Sequence, residues 1–517
     1  MVWLDDPLAF ARRLGPFWTR FSADLTASIG LSRPATAAAV AIGRSSTDLS
    51  VLAPQPGLRP TRLAVAVSGG VDSVALAVLL KLYSVLNRAV IDICIHAYTV
   101  DHAMRPESAR EAAAVTNVLL NQIGVSAHSV LQLTWSPSDL ARLDSAPETL
   151  ARRARYSALI RAMHSDGIDT LAVAHTADDN IETFFMNLLR RRSSSCLRVI
   201  PRSGAAVPCA QETFPLGGNL RLIRPLLSCP KDFSYDVCRA ANVTWFDDPT
   251  NRDPSFTLRN AVRVLIAHQD QLPQALRLSS IETVLHTVSV RRKFVRTECR
   301  SILQTLVKSG ELKYDTGTGS VTWKIDNPRY LNADSDVMIS LIKTIVGIVS
   351  ATDSKDIPSW KVIRFLRTLL AGNNRPLTFG GVLFNPIDGL SWSLSRQPFS
   401  SSSIPIGFIT TNNESILWDH RFWISCTSKQ LHQTLVIKPL SASDITYFKY
   451  KSLHRIRYRQ FFEQVPAKVL STLPVIYDPI CAKSLAIPTI DAEFGSGEQY
   501  KVIPRNEILF SLFNDAN

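Results

Sequence analysis

The chain has 517 residues, 46% hydrophobic and 20% charged, with a formal net charge of +13. That balance excludes a disordered chain, and the length predicts two or more domains with cores of their own. No apolar run is long enough to span a membrane, and none of the eight cysteines stands in a C-x-x-C pair, so neither a membrane helix nor a zinc ribbon, iron–sulfur site or thioredoxin-like redox pair is expected.

Residues 1–60 form an N-terminal extension. Phe10, Leu14, Phe17, Phe21 and Leu25 recur on one helical face, Arg12, Arg13 and Arg20 lie nearby, and an Ala/Ser/Thr/Pro-rich stretch runs to Pro60. An amphipathic, Arg-bearing, Ser-rich leader suggests a mitochondrial transit peptide, although Asp5 and Asp6 argue against it. The competing reading is a structural helix that packs on the core, followed by a loose linker.

Residues 61–265 alternate strand and helix, with strands expected at 63–67, 91–100 and 170–174 and helices at 72–86, 108–123, 147–164 and 178–190. This pattern predicts an α/β doubly wound parallel sheet, whose ligands sit at the carboxyl ends of the strands. Ser68-Gly69-Gly70-Val71-Asp72-Ser73 falls at such an end, between an apolar β-branched run and a helix. Glycines let the backbone approach an anion, the turn and helix start aim N–H groups at it, and the serines add hydroxyls. A lone carboxylate, Asp72, repels phosphate unless it helps to hold Mg²⁺. Asp101-His102 and His175 through Asp179 fall at the same sheet edge. Asp179 and Glu182 are three apart and share a helix face that suits Mg²⁺ or an amine substrate, helix capping being the simpler alternative. Arg152 and Arg155 also face together and are placed to clamp a carboxylate or stabilise departing pyrophosphate, unless they lie on a solvated surface helix. Asp248 through Asp253 read as a turn that leads to a basic helix start at Arg259 and Arg263.

Residues 266–375 read as a helical domain. Its first stretch, with Arg277, Arg291, Arg292, Lys293, Arg296 and Arg300, is either a solvated face or a surface for an RNA backbone. Further helices are expected at 335–350 and 358–371. From 376 to 517 short apolar strands predict a small β-rich C-terminal module.

The Ser68–Ser73 turn resembles the pyrophosphatase loop of the N-type ATP pyrophosphatases. Taken in order, S-G-G-V-D-S (68–73), V-D-H-A-M-R-P-E-S (100–108), E-T-L-A-R-R-A-R-Y (148–156), A-H-T-A-D-D-N-I-E-T (174–183), L-I-R-P-L-L (222–227), D-P-T-N-R-D (248–253) and R-N-A-V-R (259–263) closely resemble the tRNA(Ile)-lysidine synthetase family. The likeness is strong over 62–265 and weaker beyond, in L-T-F-G-G-V (377–382), W-D-H-R-F (418–422) and L-P-V-I-Y-D (473–478). It implies a PP-loop ATPase domain at 61–265, a tRNA-contacting helical domain and a substrate-binding β-rich module. It also implies ATP-dependent ligation of L-lysine to the wobble cytidine of tRNA(Ile) with a CAU anticodon, through an adenylated cytidine. Carried over, Ser68, Gly69, Gly70, Val71, Asp72 and Ser73 hold the ATP phosphates, Asp72 acting through Mg²⁺. Asp179 and Glu182 receive the amino groups of lysine, and Arg155 assists at the reacting phosphate. Arg259 takes the lysine carboxylate, with Arg263 as its rival. The sequence departs from the family's pattern at Thr176, where a second histidine is common, and at Arg190 through Ser195, where the turn after the acidic helix is not glycine-rich. A tRNA thiolase of the same superfamily, or an inactive RNA-binding protein on this scaffold, are the alternatives. The resemblance implies a mitochondrial location in a eukaryote and a cytoplasmic one otherwise, and leaves the oligomeric state open.

Overall fold

The computed structural model describes residues 2–29, 61–88, 91–102, 108–135, 147–189, 200–205, 220–246, 257–325, 334–350, 357–370, 375–388, 391–400, 404–409, 415–426, 434–452, 454–491 and 500–504. The chain divides into two compact units, residues 1–289 and 290–517.

The first unit is built on a six-stranded sheet of β1 (Thr61–Ala66), β2 (Ile93–Asp101), β3 (Ala127–Gln132), β4 (Thr170–Ala172), β5 (Ser203–Ala205) and β6 (Arg221–Ile223). Its order is β3-β2-β1-β4-β6-β5, parallel except for β5. The apolar run Leu63-Ala64-Val65 is buried, as a strand covered on both faces requires. The order reverses at β1, where β2 lies on one side and β4 on the other, so a ligand crevice is expected between the carboxyl ends of β1 and β4.

The N-terminal segment forms α1 (Pro7–Arg13) and α2 (Gly15–Ser28), and α3 (Val71–Leu86) follows β1. Trp3, Phe10, Leu14, Trp18, Phe21 and Leu25 are buried in the same hydrophobic core as Val74, Val78 and Leu82 of α3. Thr26 Oγ1 lies 2.7 Å from the Tyr83 hydroxyl, and Asp24 accepts from Ser228 Oγ at 2.6 Å and from Arg202 Nη1. Asp6, one of the acids that fits a leader poorly, caps α1 by accepting from the Ala9 N–H at 2.8 Å. Over residues 2–29 the packing supports the structural brace rather than a detached leader; residues 30–60 lie outside the described residues.

Three further helices bear on the site: α4 (Ser108–Asn117), α5 (Pro147–Ser165) and α6 (Ala177–Leu189). The helix predicted at 108–123 ends its α geometry at Asn117 and widens into a π-type turn over Val118–Ile123. After β6 come α7 (Lys231–Ala241), α8 (Leu258–Ala267) and α9 (Leu278–Lys308). The boundary between the units falls inside α9, later than the expected start of a helical domain at 266.

In the second unit, β7 (Leu312–Asp315) and β8 (Ser320–Lys324) lie between the helices expected at 266–312 and 335–350, in a region that the sequence predicts as a helical domain. They join β9 (Leu377–Phe379), β10 (Val382–Pro386) and β11 (Ser391–Arg396) in one antiparallel sheet of order β7-β8-β11-β10-β9. A boundary at 375 would cut that sheet and the core that α10 (Ser335–Val349) and α11 (Ser359–Leu370) share with it. Beyond, small sheets of four and three strands are accompanied by α12 (Ala442–Tyr450) and α13 (Arg455–Gln464), so the β-rich C-terminal module also carries helices. No helix among the described residues is long and apolar enough to cross a membrane.

Candidate active site

Residues Ser68, His102, His175 and Arg224 leave the carboxyl ends of β1, β2, β4 and β6, four neighbouring parallel strands. The anion turn after β1 is tightly built. Ser73 Oγ donates to Gly70 O at 2.8 Å and accepts from the Ser68 N–H at 3.2 Å, with Ser68 Oγ 3.3 Å away. Gly69 has φ +89°, and a Cβ there would come within 2.7 Å of Val115 Cγ2, so only glycine fits. Gly70 precedes α3 and no side chain caps that helix, which keeps its first N–H groups available to an anion.

Asp72 stands on the first turn of α3. Burial pushes its carboxyl up to about 6, against the opposing pull of the Ser234 hydroxyl and Lys231, and the nearby Asp179 and Asp178 raise it further. Its Oδ1 is buried with no hydrogen-bond partner. An orphaned carboxylate oxygen beside a phosphate turn fits Mg²⁺, which takes one or two carboxylates and completes its shell with phosphate and water. Among the described residues no group of three or more His, Cys, Asp and Glu forms a cage that could hold a metal.

The acidic helix after β4 is already neutralised by arginines. Asp178 Oδ2 accepts from the Lys231 N–H at 2.7 Å, so this carboxylate caps α7. Asp179 Oδ2 accepts from the Thr176 N–H at 2.8 Å, and its Oδ1 accepts from Arg259 Nη2 at 2.6 Å. Glu182, whose side chain is 7% exposed, accepts from Arg259 Nε and from Arg263 Nε at 2.7 Å. Both arginines come from α8, one turn apart, and α8 is fixed to α6 by Val262 packing with Ile181, Phe184 and Phe185. The structure thus brings Asp179, Glu182, Arg259 and Arg263 together in one cluster.

Each of the two histidines accepts from an arginine. Arg155 Nη2 approaches His102 Nε2 at 3.0 Å, and Arg224 Nε donates to His175 Nδ1 at 3.1 Å. Burial, with Arg155 adjacent, holds His102 down to about 4; burial, with Arg224, Arg152 and Arg259 nearby, does the same to His175 against the opposing Asp179. Both rings are therefore neutral near pH 7. Arg152, expected to face with Arg155, lies over the Tyr156 ring at 5.5 Å and is close enough to His175 to bear on its charge. Arg224, Lys231 and Ser234 are site neighbours that the sequence does not single out. The signal for Arg224 is its place directly after a strand, in L-I-R-P-L-L. Asp248 through Asp253 and Arg190 through Ser195 lie outside the described residues.

The PP-loop domain family matches residues 45–269. A probable tRNA(Ile)-lysidine synthase of Schizosaccharomyces pombe is 28% identical over 84% of this chain and 92% of its own length. The tRNA(Ile)-lysidine synthase of Novosphingobium aromaticivorans is 31% identical over 65% of this chain and 89% of its own. In that of Bradyrhizobium the identity reaches 40%, over 40% of this chain and 51% of the relative. Among solved structures, the U34-tRNA thiolase NcsA of Methanococcus maripaludis aligns with a TM-score of 0.36 at 15% identity, over 53% of this chain and 80% of that one, a likeness too weak to argue from.

Proposed function

The chain belongs to the tRNA(Ile)-lysidine synthase family, and from that premise we propose that it ligates lysine to the wobble cytidine of a tRNA(Ile) with a CAU anticodon, using ATP. The observation that carries the reading is the convergence of an anion turn, an orphaned carboxylate and an acid–arginine cluster on one sheet edge. In the first step the cytosine O2 attacks the α-phosphate of ATP, an O–P bond forms, and pyrophosphate leaves with the electrons of the broken P–O bond. In the second step the lysine ε-amine attacks C2 of the adenylated base, AMP departs and the amine proton is released. The work of the protein is positioning and charge neutralisation. The N–H groups at the start of α3, with Ser68 and Ser73, hold the phosphates. Asp72 would hold Mg²⁺, which supplies charge neutralisation at the phosphates. Arg155, kept in place by neutral His102, faces the reacting phosphate. Asp179 and Glu182 take the amino groups of lysine, and Arg259 its carboxylate.

On this reading Glu182→Gln weakens lysine use and spares ATP use. Losing one charge-assisted hydrogen bond costs about 1.5–3 kcal/mol, or roughly ten- to hundredfold in the KM for lysine. Steady-state kinetics with each substrate varied in turn check this, and a raised KM for ATP with that for lysine unchanged would refute the assignment.

The basic face of α9 is the proposed tRNA-binding surface. Arg291 is taken up internally, donating to Asp334 and to Asp336 Oδ2 at 3.0 Å. Lys293, Arg296 and Arg300 are exposed and follow one another along the helix. Replacing these three by Ala is expected to lower tRNA affinity and to flatten the salt dependence of binding, by roughly one in slope for each phosphate that is no longer neutralised. An unchanged slope in a filter-binding salt titration would remove α9 from the interface.

Of the cysteines that the thiolase alternative would draw on, the two that are buried among the described residues of the first unit do not favour it: burial pushes Cys229 up to about 11 and Cys238 up to about 12 and keeps both as thiols. We further propose a mitochondrial location in a eukaryotic cell. Since α1 and α2 belong to the core, an import signal read from them would be retained in the working protein.

A further inference from the structure

The two carboxylates assigned to lysine are held by two guanidiniums in the ligand-free protein. Arg259 reaches both acids, through Nη2 to Asp179 and Nε to Glu182. Among the described residues Arg263 reaches Glu182 alone, with Nε 2.7 Å from Oε1 and Nη2 3.5 Å from Oε2, and its side chain is 32% exposed. Two carboxylates thus face two guanidiniums, and Glu182 accepts from both arginines. A lysine ammonium that takes Glu182 as its acceptor must displace a guanidinium, because a third cation on this mostly buried carboxylate would stand uncompensated, which is costly. His175, the other titratable ring beside Asp179, is uncharged near pH 7 and does not enter that competition. The arginine to withdraw is the one that grips a single acid. The two side chains are almost equally exposed, 30% for Arg259 and 32% for Arg263, so the difference lies in the grip: Arg259 bridges Asp179 and Glu182 and is left to meet the lysine carboxylate.

We propose that Arg263 is a positioning residue that holds Glu182 in place of lysine and is displaced when lysine binds. It keeps the acidic pair neutral and ordered between turnovers, and it competes with the amine substrate for Glu182. The inference rests on the lysine site proposed above. It reverses the expectation for an arginine that binds the lysine carboxylate, because removing a competitor strengthens substrate binding and removing a ligand weakens it.

The test compares the full-length variants Arg263→Gln, Arg263→Lys and Glu182→Gln with the parent in lysine- and ATP-dependent kinetics. Arg263→Gln is expected to lower the KM for lysine about three- to tenfold, a range reduced for the partial exposure of the pair, with the KM for ATP within about twofold of the parent. Arg263→Lys keeps the competing charge without the two-nitrogen grip and is expected to fall between the two. Lysine should also raise the melting temperature of Arg263→Gln more than that of the parent. A higher or unchanged KM for lysine in both Arg263 variants overturns the proposal. If Arg263→Gln does not fold, Arg263→Lys alone decides it by the same measure. A Glu182→Gln enzyme with an unchanged KM for lysine removes the lysine site itself, whereas a raised KM in Glu182→Gln with no fall in the Arg263 variants removes only the role of Arg263.

Discussion

Asp72→Asn is expected to lower pyrophosphate release by on the order of 10²–10³ while making the ligand-free protein more stable at neutral pH. The loss of activity follows from the place of Asp72: a carboxylate oxygen without a hydrogen-bond partner, on the first helical turn after the phosphate loop. On the proposed reading, replacing it by an amide removes the charge that would hold Mg²⁺ against the phosphates. The gain in stability follows from the same burial. The folded protein keeps a proton on Asp72 up to about 6, whereas the ordinary value is 3.8. The native state therefore binds more protons between these values, and stability falls as pH rises through that window. Above about pH 6 the penalty is complete, on the order of 2–3 kcal/mol. His102 and His175 act in the opposite sense. Their folded values of about 4 lie below 6.5, so folding expels their protons, and stability is lost as pH falls from 6.5 towards 4. Thermal melts of the parent and Asp72→Asn across pH 4–8 should diverge upward from pH 4 in favour of the variant. Equal melting temperatures at pH 7.5, or near-parental turnover at saturating Mg²⁺, would contradict this account.

Deletion of residues 1–29 is expected to prevent the first unit from folding. Trp3, Phe10, Leu14, Trp18, Phe21 and Leu25 are each buried to below 8% exposure in the core that backs α3. At roughly 1.5–3 kcal/mol for each buried large apolar side chain, their removal outweighs or matches a whole domain's stability of about 5–15 kcal/mol. The loss is larger still because the facing side chains on α3, with Tyr83 and its hydrogen bond to Thr26, become exposed. Since α3 begins within the Ser68–Ser73 turn, an unsupported α3 also disturbs the proposed ATP site. Expression of the truncated chain should yield insoluble protein, or a soluble species without cooperative melting. A monodisperse truncation that melts cooperatively and releases pyrophosphate would show that α1 and α2 are dispensable. A milder variant, Phe21→Ala, should cost about 3–5 kcal/mol, measurable by denaturant unfolding.

The geometry of the Ser68–Ser73 turn was legible in the sequence because its physics is local. A buried strand, two glycines and a helix start follow one another along a short stretch of chain, and each dictates its own geometry. The same holds for the acidic face of α6, where spacing by three aligns Asp179 with Glu182. The amphipathic face of residues 10–25 announced that it must be covered but not by what, since periodicity encodes which side is buried and carries no information about the partner. Tertiary structure decided that α3 and the catalytic core cover it. It likewise decided that β8 pairs with the distant β11, which short alternating segments do not specify when several partners suit them equally. The acid–arginine cluster is the clearest case. Glu182 and Arg263 are 81 residues apart in sequence and 2.7 Å apart in space. Their meeting depends on Val262 docking α8 against α6, a packing choice made by the whole core. The sequence by itself determined the chemistry available at the sheet edge. Only the fold decided which charges neutralise one another there, because electrostatic pairing is set by distance through space and burial, and neither is a property of distance along the chain.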